Sequence, residues 1–352
     1  MYMDQPGKFF FGILIVLFLS PLCSTSQATL ARGQQPQVTI DGSGIIRVAF
    51  GRNDSIFCAT SLNEGETFTK PALVGIVPKM HLGMARGPQL ASSANYSMIT
   101  VMDKAGNIHF FMLNNRKGSW QNKGLVNDIK GSAPEGLMNV ACDNQDNFYA
   151  VWLDVRLNKR NNVFFSSLPH GGSLWTKNNL VYQSPDEYVC ECCRPSIAVK
   201  GPNVAIMFRN RLNGSRDLYL AASVNKGQTF AKAVKLGNGT WKLNACTMDG
   251  GGISFNADKT INTVWQRQGM VYYCKPGQDE KELAKGRDCS IYSDHNRDWV
   301  SMSENGTVKL EDAATLKTVV VGKGSYMKAI ALGTGKLLCV WEDNNVVKAK
   351  TI

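Results

Sequence analysis

The ten cysteines of this 352-residue chain are the residues whose type and spacing are best suited to chemistry. The densest group is Cys190-Glu-Cys-Cys193, and Cys246 follows Cys192 by 54 residues. That spacing equals the repeat length described below, so Cys192 and Cys246 are expected at equivalent heights on adjacent repeats, where they can meet. Two chemistries are open to this cluster: disulfide bonds that stiffen a loop, or a thiolate metal site formed by Cys190, Cys192, Cys193 and Cys246.

The spacing inside the cluster favours disulfides. Cys-x-Cys-Cys does not match a zinc knuckle, because an extended strand cannot easily place three neighbouring sulfur atoms at tetrahedral positions. Free thiols are the third possibility. Cys274 and Cys289 flank a charged stretch and are the expected local bridge. We therefore predict no metal and no cofactor.

A repeated eight-residue motif predicts the architecture. Ser61-Leu-Asn-Glu-Gly-Glu-Thr-Phe68 and Ser223-Val-Asn-Lys-Gly-Gln-Thr-Phe230 are nearly identical and lie 162 residues apart, which is three times 54. Degraded copies that end in Trp120 and Trp175 fill the interval between them. Self-similarity at a fixed period is typical of repeat architectures. The 324 residues that follow a predicted N-terminal signal therefore divide into six units.

Each unit also contains an alternating apolar strand, a turn rich in Gly or Asp, and a second strand that ends in an aromatic residue. These strand pairs span residues 38–50, 97–110, 139–152, 196–208, 253–265 and 329–341. The pattern predicts an all-β, six-bladed β-propeller of four-stranded antiparallel blades, with a β-sandwich as the alternative. Residues 345–351 are expected to pair with N-terminal strands and close the ring. The charged stretch 276–318 is expected to be an inserted loop or an irregular blade.

The N-terminus has the pattern of a signal peptide. Residues 9–22 form an apolar run that follows Lys8 and is too short to span a membrane comfortably. Ser26 and Ala28 occupy the small-residue positions of a signal-peptidase site. We therefore predict a signal peptide at residues 1–28, a propeller at 29–352, and export to the periplasm, the cell surface or the medium. The alternative is a lipoprotein anchored through Cys23, and we expect contact with a membrane only through such an anchor.

Composition narrows the class of partner. The chain has 39 Lys and Arg against 28 Asp and Glu, a formal net charge of +11, which favours an anionic partner. Nucleic acid is not expected, because the chain is exported and its basic residues are spread rather than clustered. The 43% apolar content excludes a disordered chain. We expect a monomer.

The motif Ser-x-Asn-x-Gly-x-Thr-Phe resembles the Asp-box, or BNR repeat, of the sialidase (neuraminidase) superfamily, with Asn in place of Asp. In physical terms it is a self-bonded turn: the Asx side chain and the hydroxyls bond backbone groups, Gly takes a positive φ, and the aromatic anchors the turn. The resemblance implies a propeller in which this motif is structural. Asp-box propellers also occur among lyases, lectin-like modules and assembly factors, so the motif does not fix an activity.

Other segments resemble the sialidase active site in chain order. The stretch from Tyr326 to Glu342 is similar to the family's Tyr segment followed by a Gly turn and a strand, which implies Tyr326 as the nucleophile. Residues 191–209 resemble the family's Glu, strand, turn, strand and Arg, which implies Glu191 as the base of Tyr326. A Tyr activated by Glu suits a sialic acid, because the substrate carboxylate would repel a carboxylate nucleophile.

The same resemblance implies three arginines that bind the substrate carboxylate, since a guanidinium is permanently charged and binds carboxylates in a bidentate manner. The implied residues are Arg86, Arg209 and Arg267, with Arg216 as a further candidate. Arg86 lies in the second repeat rather than in the blade that the family uses. The alternatives in the first repeat are Arg32, Arg47 and Arg52.

The general acid is the weakest part of the resemblance. The family places an Asp on a loop to protonate the leaving sugar oxygen, and no Asp follows Arg86 at that position. Asp103 is the nearest candidate, and Asp154 is the alternative.

Three functions are compatible with these residues. The first is an exported, sialidase-like glycoside hydrolase that acts on sialylated or other anionic glycans. The second is a non-catalytic propeller that binds a glycan or a partner protein, which the missing acid and the cysteine cluster favour. The third is a lyase of anionic polysaccharides, with a Tyr or His base.

Overall fold

The computed structural model describes residues 1–3, 27–170, 172, 174–294 and 297–352. The apolar run at residues 9–22 and Cys23 lie outside the described residues. Within those ranges, no helix is long and apolar enough to cross a membrane.

The described residues form seven four-stranded antiparallel sheets, numbered here as blades I to VII. The first strand, β1 (Ala28–Arg32), belongs to blade VII. Blade I contains β2 (Gln34–Ile40), β3 (Ile46–Arg52), β4 (Ser55–Ser61) and β5 (Ala72–Ile76). Blade II contains β6 (Gln89–Ser92), β7 (Tyr96–Met102), β8 (Ile108–Asn114) and β9 (Trp120–Leu125). Blade III contains β10 (Met138–Cys142), β11 (Phe148–Asp154), β12 (Asn162–Leu168) and β13 (Asn179–Tyr182).

The remaining blades follow in chain order. Blade IV contains β14 (Ser196–Lys200), β15 (Asn203–Arg209), β16 (Leu218–Ser223) and β17 (Val234–Lys235). Blade V contains β18 (Gly252–Phe255), β19 (Ile261–Arg267), β20 (Met270–Cys274) and β21 (Lys281–Lys285). Blade VI contains β22 (Arg287–Ser293), β23 (Asp298–Glu304), β24 (Thr307–Asp312) and β25 (Thr318–Lys323). Blade VII contains β26 (Ser325–Ala331), β27 (Leu337–Asp343) and β28 (Val346–Thr351) together with β1.

The core lies between adjacent blades. All seven residues of β11 are buried, because neighbouring blades cover both of its faces. Trp152 on this strand packs in a cluster with Phe110 of blade II, whereas Tyr149 packs in a cluster with Phe208 of blade IV. A strand buried on both faces has a nearly continuous apolar sequence rather than strict alternation.

The two chain ends close the ring through hydrogen bonds. β1 is the outermost strand of blade VII and pairs with β28, with Ala28 opposite Ala349 and Arg32 opposite Val346. The predicted closing strand at 345–351 and its pairing with an N-terminal strand are therefore confirmed.

The propeller has seven blades, so the prediction of six was wrong. Blade VI occupies most of the stretch 276–318, which we expected to be an inserted loop or an irregular blade. The first strands of blades V, VI and VII begin at Gly252, Arg287 and Ser325, much closer together than the 54-residue period. Their connections are short, because Gly286 alone joins β21 to β22 and Gly324 alone joins β25 to β26. Dividing the chain by the 54-residue period of the first four blades therefore gives too few blades, because the last blades are shorter.

The two repeated motifs form the turns between the third and fourth strands of blades I and IV. In blade IV, Ser223 Oγ accepts hydrogen bonds from the N–H groups of Asn225 and Gly227, and Asn225 Oδ1 accepts one from the N–H of Thr229. Gly227 has a φ of 79°, and a Cβ at this residue would lie 2.3 Å from the Phe165 ring. The copy in blade I makes the same bonds. The motif is thus a self-bonded turn packed against the next blade.

The side chain of Asn225 should determine the stability of this turn. Asn225→Ala removes the acceptor for the Thr229 N–H, and we expect it to lower the free energy of unfolding by about 1 kcal/mol. Asn225→Asp keeps the acceptor and should change the free energy little. Urea unfolding of both variants measures the difference, and equal losses in the two variants would contradict this role.

Candidate functional site at the upper face

Strand direction gathers the predicted site residues at one face. In antiparallel blades, the blade-to-blade connections and the turns between second and third strands lie at one end, which we call the upper face. The other turns, including both Asp-box-like motifs, lie at the lower face. All of the predicted site residues are at upper ends of strands or in upper connections: Arg86, Asp103, Glu191, Arg209, Arg216, Arg267 and Tyr326.

Arg209 ends β15 and is 1% exposed. Its guanidinium donates hydrogen bonds to the backbone carbonyls of Asp249, Arg216 and Gln266 at distances of 2.7–3.2 Å. It also lies over the ring of Trp241, with 5.7 Å between Cζ and the ring centroid. Arg209 therefore ties together the upper loops of blades IV and V, and its N–H groups are bonded to protein acceptors.

Arg216 and Arg267 lie beside Arg209 around a cavity of about 10 Å³, room for about one water molecule. Arg267 pairs with Glu280 and stacks on Tyr272, with 4.1 Å between Cζ and the ring centroid. Arg216 donates to Cys190 Sγ at 3.0 Å. The structure thus brings three of the predicted arginines together, with their donors bonded to protein groups.

Arg86 and two of the predicted acidic residues lie in other connections of the upper face. Arg86 Nε donates to the carbonyl of Glu135 at 2.6 Å. Burial raises the pKa of Glu135, and the negative charge of exposed Glu191 adds to this rise. Burial opposes ionisation of Asp103, but the hydrogen bond from His109 at 2.9 Å holds its pKa below the ordinary value. Asp103 is therefore ionised at neutral pH.

Three consecutive blades begin their innermost strand with a β-bulge. The bulges include Asp288 in blade VI, Tyr326 in blade VII and Gln35 in blade I, and these residues have φ values of 54°, 55° and 55°. Bulges redirect side chains and are common beside active sites. A left-handed conformation of a residue other than glycine persists only where its surroundings enforce it. The same position in three neighbouring blades places these side chains side by side around the axis.

The electrostatics of this group suit proton transfer. Burial raises the pKa of Tyr326, the charge of Asp288 adds to the rise, and Arg287 opposes it. Burial also raises the pKa of Asp288, reinforced by the charge of Asp249. Arg287 Nε lies 3.6 Å from Asp288 Oδ1. The phenol is therefore protonated at neutral pH and lies beside a carboxyl group with raised proton affinity, the combination used in general acid–base chemistry.

Two cations, Lys328 and Arg194, lie near the bulged residues. We call these cations, the three bulged residues, Asp249 and Arg287 the axial cluster. Burial lowers the pKa of Lys328 to about 7, and the charge of Arg194 adds to this effect. Burial also lowers the pKa of Arg194, to about 10. Arg194, just before blade IV, donates from Nη1 to Gln89 Oε1 of blade II at 3.0 Å. The cations are balanced by Asp249 and Asp288, whose charges act on Lys328.

A disulfide links two upper connections near the axis. Cys192, before blade IV, is bonded to Cys246, before blade V, as the 54-residue offset predicted. The predicted bridge between Cys274 and Cys289 was wrong, because both are free and buried in different blades. Cys274 ends β20 and donates to backbone carbonyls, whereas Cys289 lies in the innermost strand of blade VI.

Cys246 and Met248 form a ridge between two open cavities of the upper face. One cavity of about 720 Å³ is lined by Arg86, Glu135 and Lys104. The other, of about 910 Å³, is lined by Trp241, Lys285 and Arg287. We call this larger cavity the Trp241 groove. Its inner wall includes Arg287, the residue whose charge acts on Tyr326.

Sequence reasoning missed most of the axial cluster: Gln35, Arg194, Asp249, Arg287, Asp288 and Lys328. The signals for these residues are slight. Arg194 follows the cysteine cluster directly, and Asp249 precedes two glycines in the connection that carries Cys246. The bulges at Gln35 and Asp288, whose side chains are buried, have no marker in the sequence.

Solved structures similar to this chain include two lectins and a polysaccharide lyase, whereas no family model and no curated protein matches it. The BP39L lectin from Burkholderia pseudomallei has a TM-score of 0.61 and 9% identity, over 89% of this chain and 96% of that one. A PL25 ulvan lyase bound to GlcA(1-4)Rha3S has a TM-score of 0.56 and 9% identity, over 92% and 95%. The six-bladed lectin of Aleuria aurantia has a TM-score of 0.53 and 11% identity, over 84% and 98%. At these identities the likeness establishes a β-propeller fold alone.

The lowered pKa of Lys328 predicts a pH-dependent effect of its removal. Below about pH 7 the amine is charged in both states, so folding bears the full cost of burying the charge. As the pH rises above 7, the buried amine loses its proton while the unfolded chain keeps it, so the folded state no longer holds the buried charge. The cost of burial then declines as the pH approaches the pKa of the unfolded chain. Lys328→Met should therefore stabilise the protein most at pH 6 and progressively less up to pH 9.

Urea unfolding at several pH values measures this trend. The groups facing Lys328 are Arg194, Asp249, Asp288 and Cys289, and they are unchanged in the variant. Exposed Lys323 supplies the matched control, Lys323→Met, which should show no such trend. A Lys328→Met effect that is independent of pH would contradict the assignment.

Proposed function

We propose that this protein is an exported propeller that binds an anionic glycan in the Trp241 groove and acts on it with Tyr326. The observation that carries the proposal is the position of Arg287. This residue lines the groove, lies 3.6 Å from Asp288, and acts on Tyr326 through its charge. A glycan held by Arg287 would therefore lie next to a protonated phenol and a carboxyl group.

The composition of the groove suits such a ligand. The half-buried Trp241 offers an aromatic face to a sugar ring, while exposed Lys285 and Arg287 offer charge to a carboxylate or a sulfate. The net charge of +11 favours the approach of a polyanion. The fold shared with a lectin and an ulvan lyase supports a glycan as the ligand class.

The proposed chemistry centres on Tyr326 and Asp288. If the phenol is to attack or to abstract a proton, its own proton must pass to a carboxylate, and the charge of Asp288 is the largest that acts on it. This role replaces that of Glu191, whose charge acts on Glu135 instead. The rise in the pKa of Asp288 suits it to receive a proton and to return it. Arg209, Arg216 and Arg267 then order the wall of the site, while Arg287 binds the anion.

Binding is tested by titrating the protein with sialyllactose, a tetra-uronate and neutral maltotetraose. We expect the anionic sugars to bind and the neutral one to bind at least tenfold more weakly. Trp241→Ala and Arg287→Gln should each weaken anion binding about tenfold, since each removes a contact worth about 1.4 kcal/mol. Arg116→Gln, an exposed arginine at the lower face, is the matched control and should bind as the wild type does. Equal affinity for neutral and anionic sugars would exclude this ligand class.

Turnover is tested with a sialoside carrying a fluorogenic leaving group and with polyuronates whose cleavage by elimination produces an ultraviolet-absorbing double bond. Tyr326→Phe should lower kcat at least 100-fold, the scale typical of a lost acid–base group. Tyr292→Phe, in the same ring of inner strands but near the lower face, is the control and should keep full activity. The product distinguishes hydrolysis from elimination. Binding without turnover of any of these substrates would instead identify a lectin-like propeller.

A further inference from the structure

An exposed disulfide lies directly above a buried pair of thiols. Cys246 is exposed, whereas Cys190 and Cys193 are 0% and 2% exposed. Cys190 Sγ lies 3.7 Å from Cys192 Sγ, one sulfur of the Cys192–Cys246 bridge, and 3.3 Å from Cys193 Sγ. All four sulfur atoms thus belong to one chain of contacts that leads from the core to the surface.

The surroundings of Cys190 stabilise its thiolate. The hydrogen bond between Cys190 and Cys193 lowers the pKa of Cys190, and Arg209 and Arg216 act in the same direction. Arg216 Nη1 donates directly to Cys190 Sγ at 3.0 Å. By contrast, burial raises the pKa of the remaining free cysteines among the described residues: Cys58, Cys142, Cys193, Cys274, Cys289 and Cys339. A thiolate is the nucleophile of disulfide chemistry, so Cys190 is the reactive cysteine of this cluster.

We propose that Cys190, Cys192, Cys193 and Cys246 form a thiol–disulfide exchange centre. The Cys190 thiolate attacks Cys192 Sγ, the Cys192–Cys246 bond breaks, and Cys246 leaves with the electron pair as a thiolate. Cys193 then gives up its proton, which the released Cys246 thiolate takes up, and attacks Cys190 Sγ; this forms the Cys190–Cys193 bond and releases Cys192 as a thiolate. One disulfide and two thiols are present before and after, so the exchange needs no external oxidant or reductant.

The exchange moves the disulfide inward and leaves a dithiol at the upper face. Cys246 lines both large cavities, so its thiolate can reach a disulfide of a small molecule or of another protein. Attack there forms a mixed disulfide, and Cys192 resolves it by restoring Cys192–Cys246 and releasing the partner as a dithiol. The partner gains two electrons, which come from Cys190 and Cys193, now bonded to each other. A thiol reductant must then reduce Cys190–Cys193 for another cycle. The exchange itself does not require a bound glycan.

The test is alkylation of Cys246 in the absence of reductant. Full-length protein with the bridge intact is treated with chelator and then held at saturating iodoacetamide, and peptides are analysed by mass spectrometry. Cys246 begins in a disulfide, so its alkylation requires internal exchange. We expect alkylated Cys246 and a new Cys190–Cys193 bridge to accumulate together. The rate should reach half its maximum at least one pH unit below the value of about 8.5 for an ordinary thiol.

Three variants separate exchange from general loosening of the fold. Cys190→Ser should slow alkylation of Cys246 at least tenfold, whereas Cys339→Ser, a buried cysteine of blade VII, should leave the rate unchanged. Arg216→Gln keeps every cysteine and should shift the pH profile upward. The proposal is overturned if Cys246 of the wild type stays unmodified, or if Cys190→Ser reacts at the wild-type rate. It is also overturned if purified protein holds stoichiometric zinc or copper that protects all four cysteines until chelation.

Discussion

The hydrogen-bonded pairing of β1 with β28 is the constraint on which the rest of the molecule depends. Without β1 the last sheet would lack its outermost strand, and here that strand comes from the N-terminal part of the chain. Closure fixes seven innermost strands around one axis and so fixes the distances between side chains that are far apart in sequence. Arg194 and Gln89 illustrate this effect, since they are separated by 105 residues and are joined by one hydrogen bond.

Convergence of the innermost strands also explains the unusual electrostatics at the axis. Side chains that point inward leave water and meet charges from several blades, so desolvation and Coulomb interactions act together. Burial shifts both Lys328 and Asp288 toward their neutral forms: it lowers the pKa of the amine to about 7 and raises the pKa of the carboxyl group. The strained bulges at Asp288 and Tyr326 hold these side chains in place, and the hydrogen bonds of the flanking strands offset their strain.

The sequence predicted the propeller because its turns are self-contained. The hydrogen bonds of Asn225 to Ser223 and Thr229 are local, so a short sequence motif identifies them. The constant 54-residue period also predicted correctly that Cys192 and Cys246 meet. Blade VI was missed because its turns lack that motif and because Gly286 and Gly324 shorten its connections. Apart from Tyr326, the axial residues could not be predicted, since a bulge in an inner strand depends on the register with neighbouring strands. Six of the seven predicted site residues, all but Tyr326, are in loops or at the ends of second strands rather than in the bulged innermost strands. Their assignment to a catalytic or binding role stays a prediction.

The segment 246–251 connects the two chemistries of the upper face. It begins at the exposed sulfur of Cys246, forms the ridge between the cavities at Met248, and ends in two glycines beside the axis. A Cβ on Gly250 would lie 1.9 Å from the carbonyl oxygen of Arg194, so this position requires glycine for the connection to pack against the cysteine cluster. Asp249 accepts a hydrogen bond from the N–H of Asp288, which ties the same segment to the bulge beside Tyr326. Movement of the disulfide would therefore displace both the ridge at Met248 and the bulge at Asp288, because one short, tightly packed segment joins the disulfide to each of them.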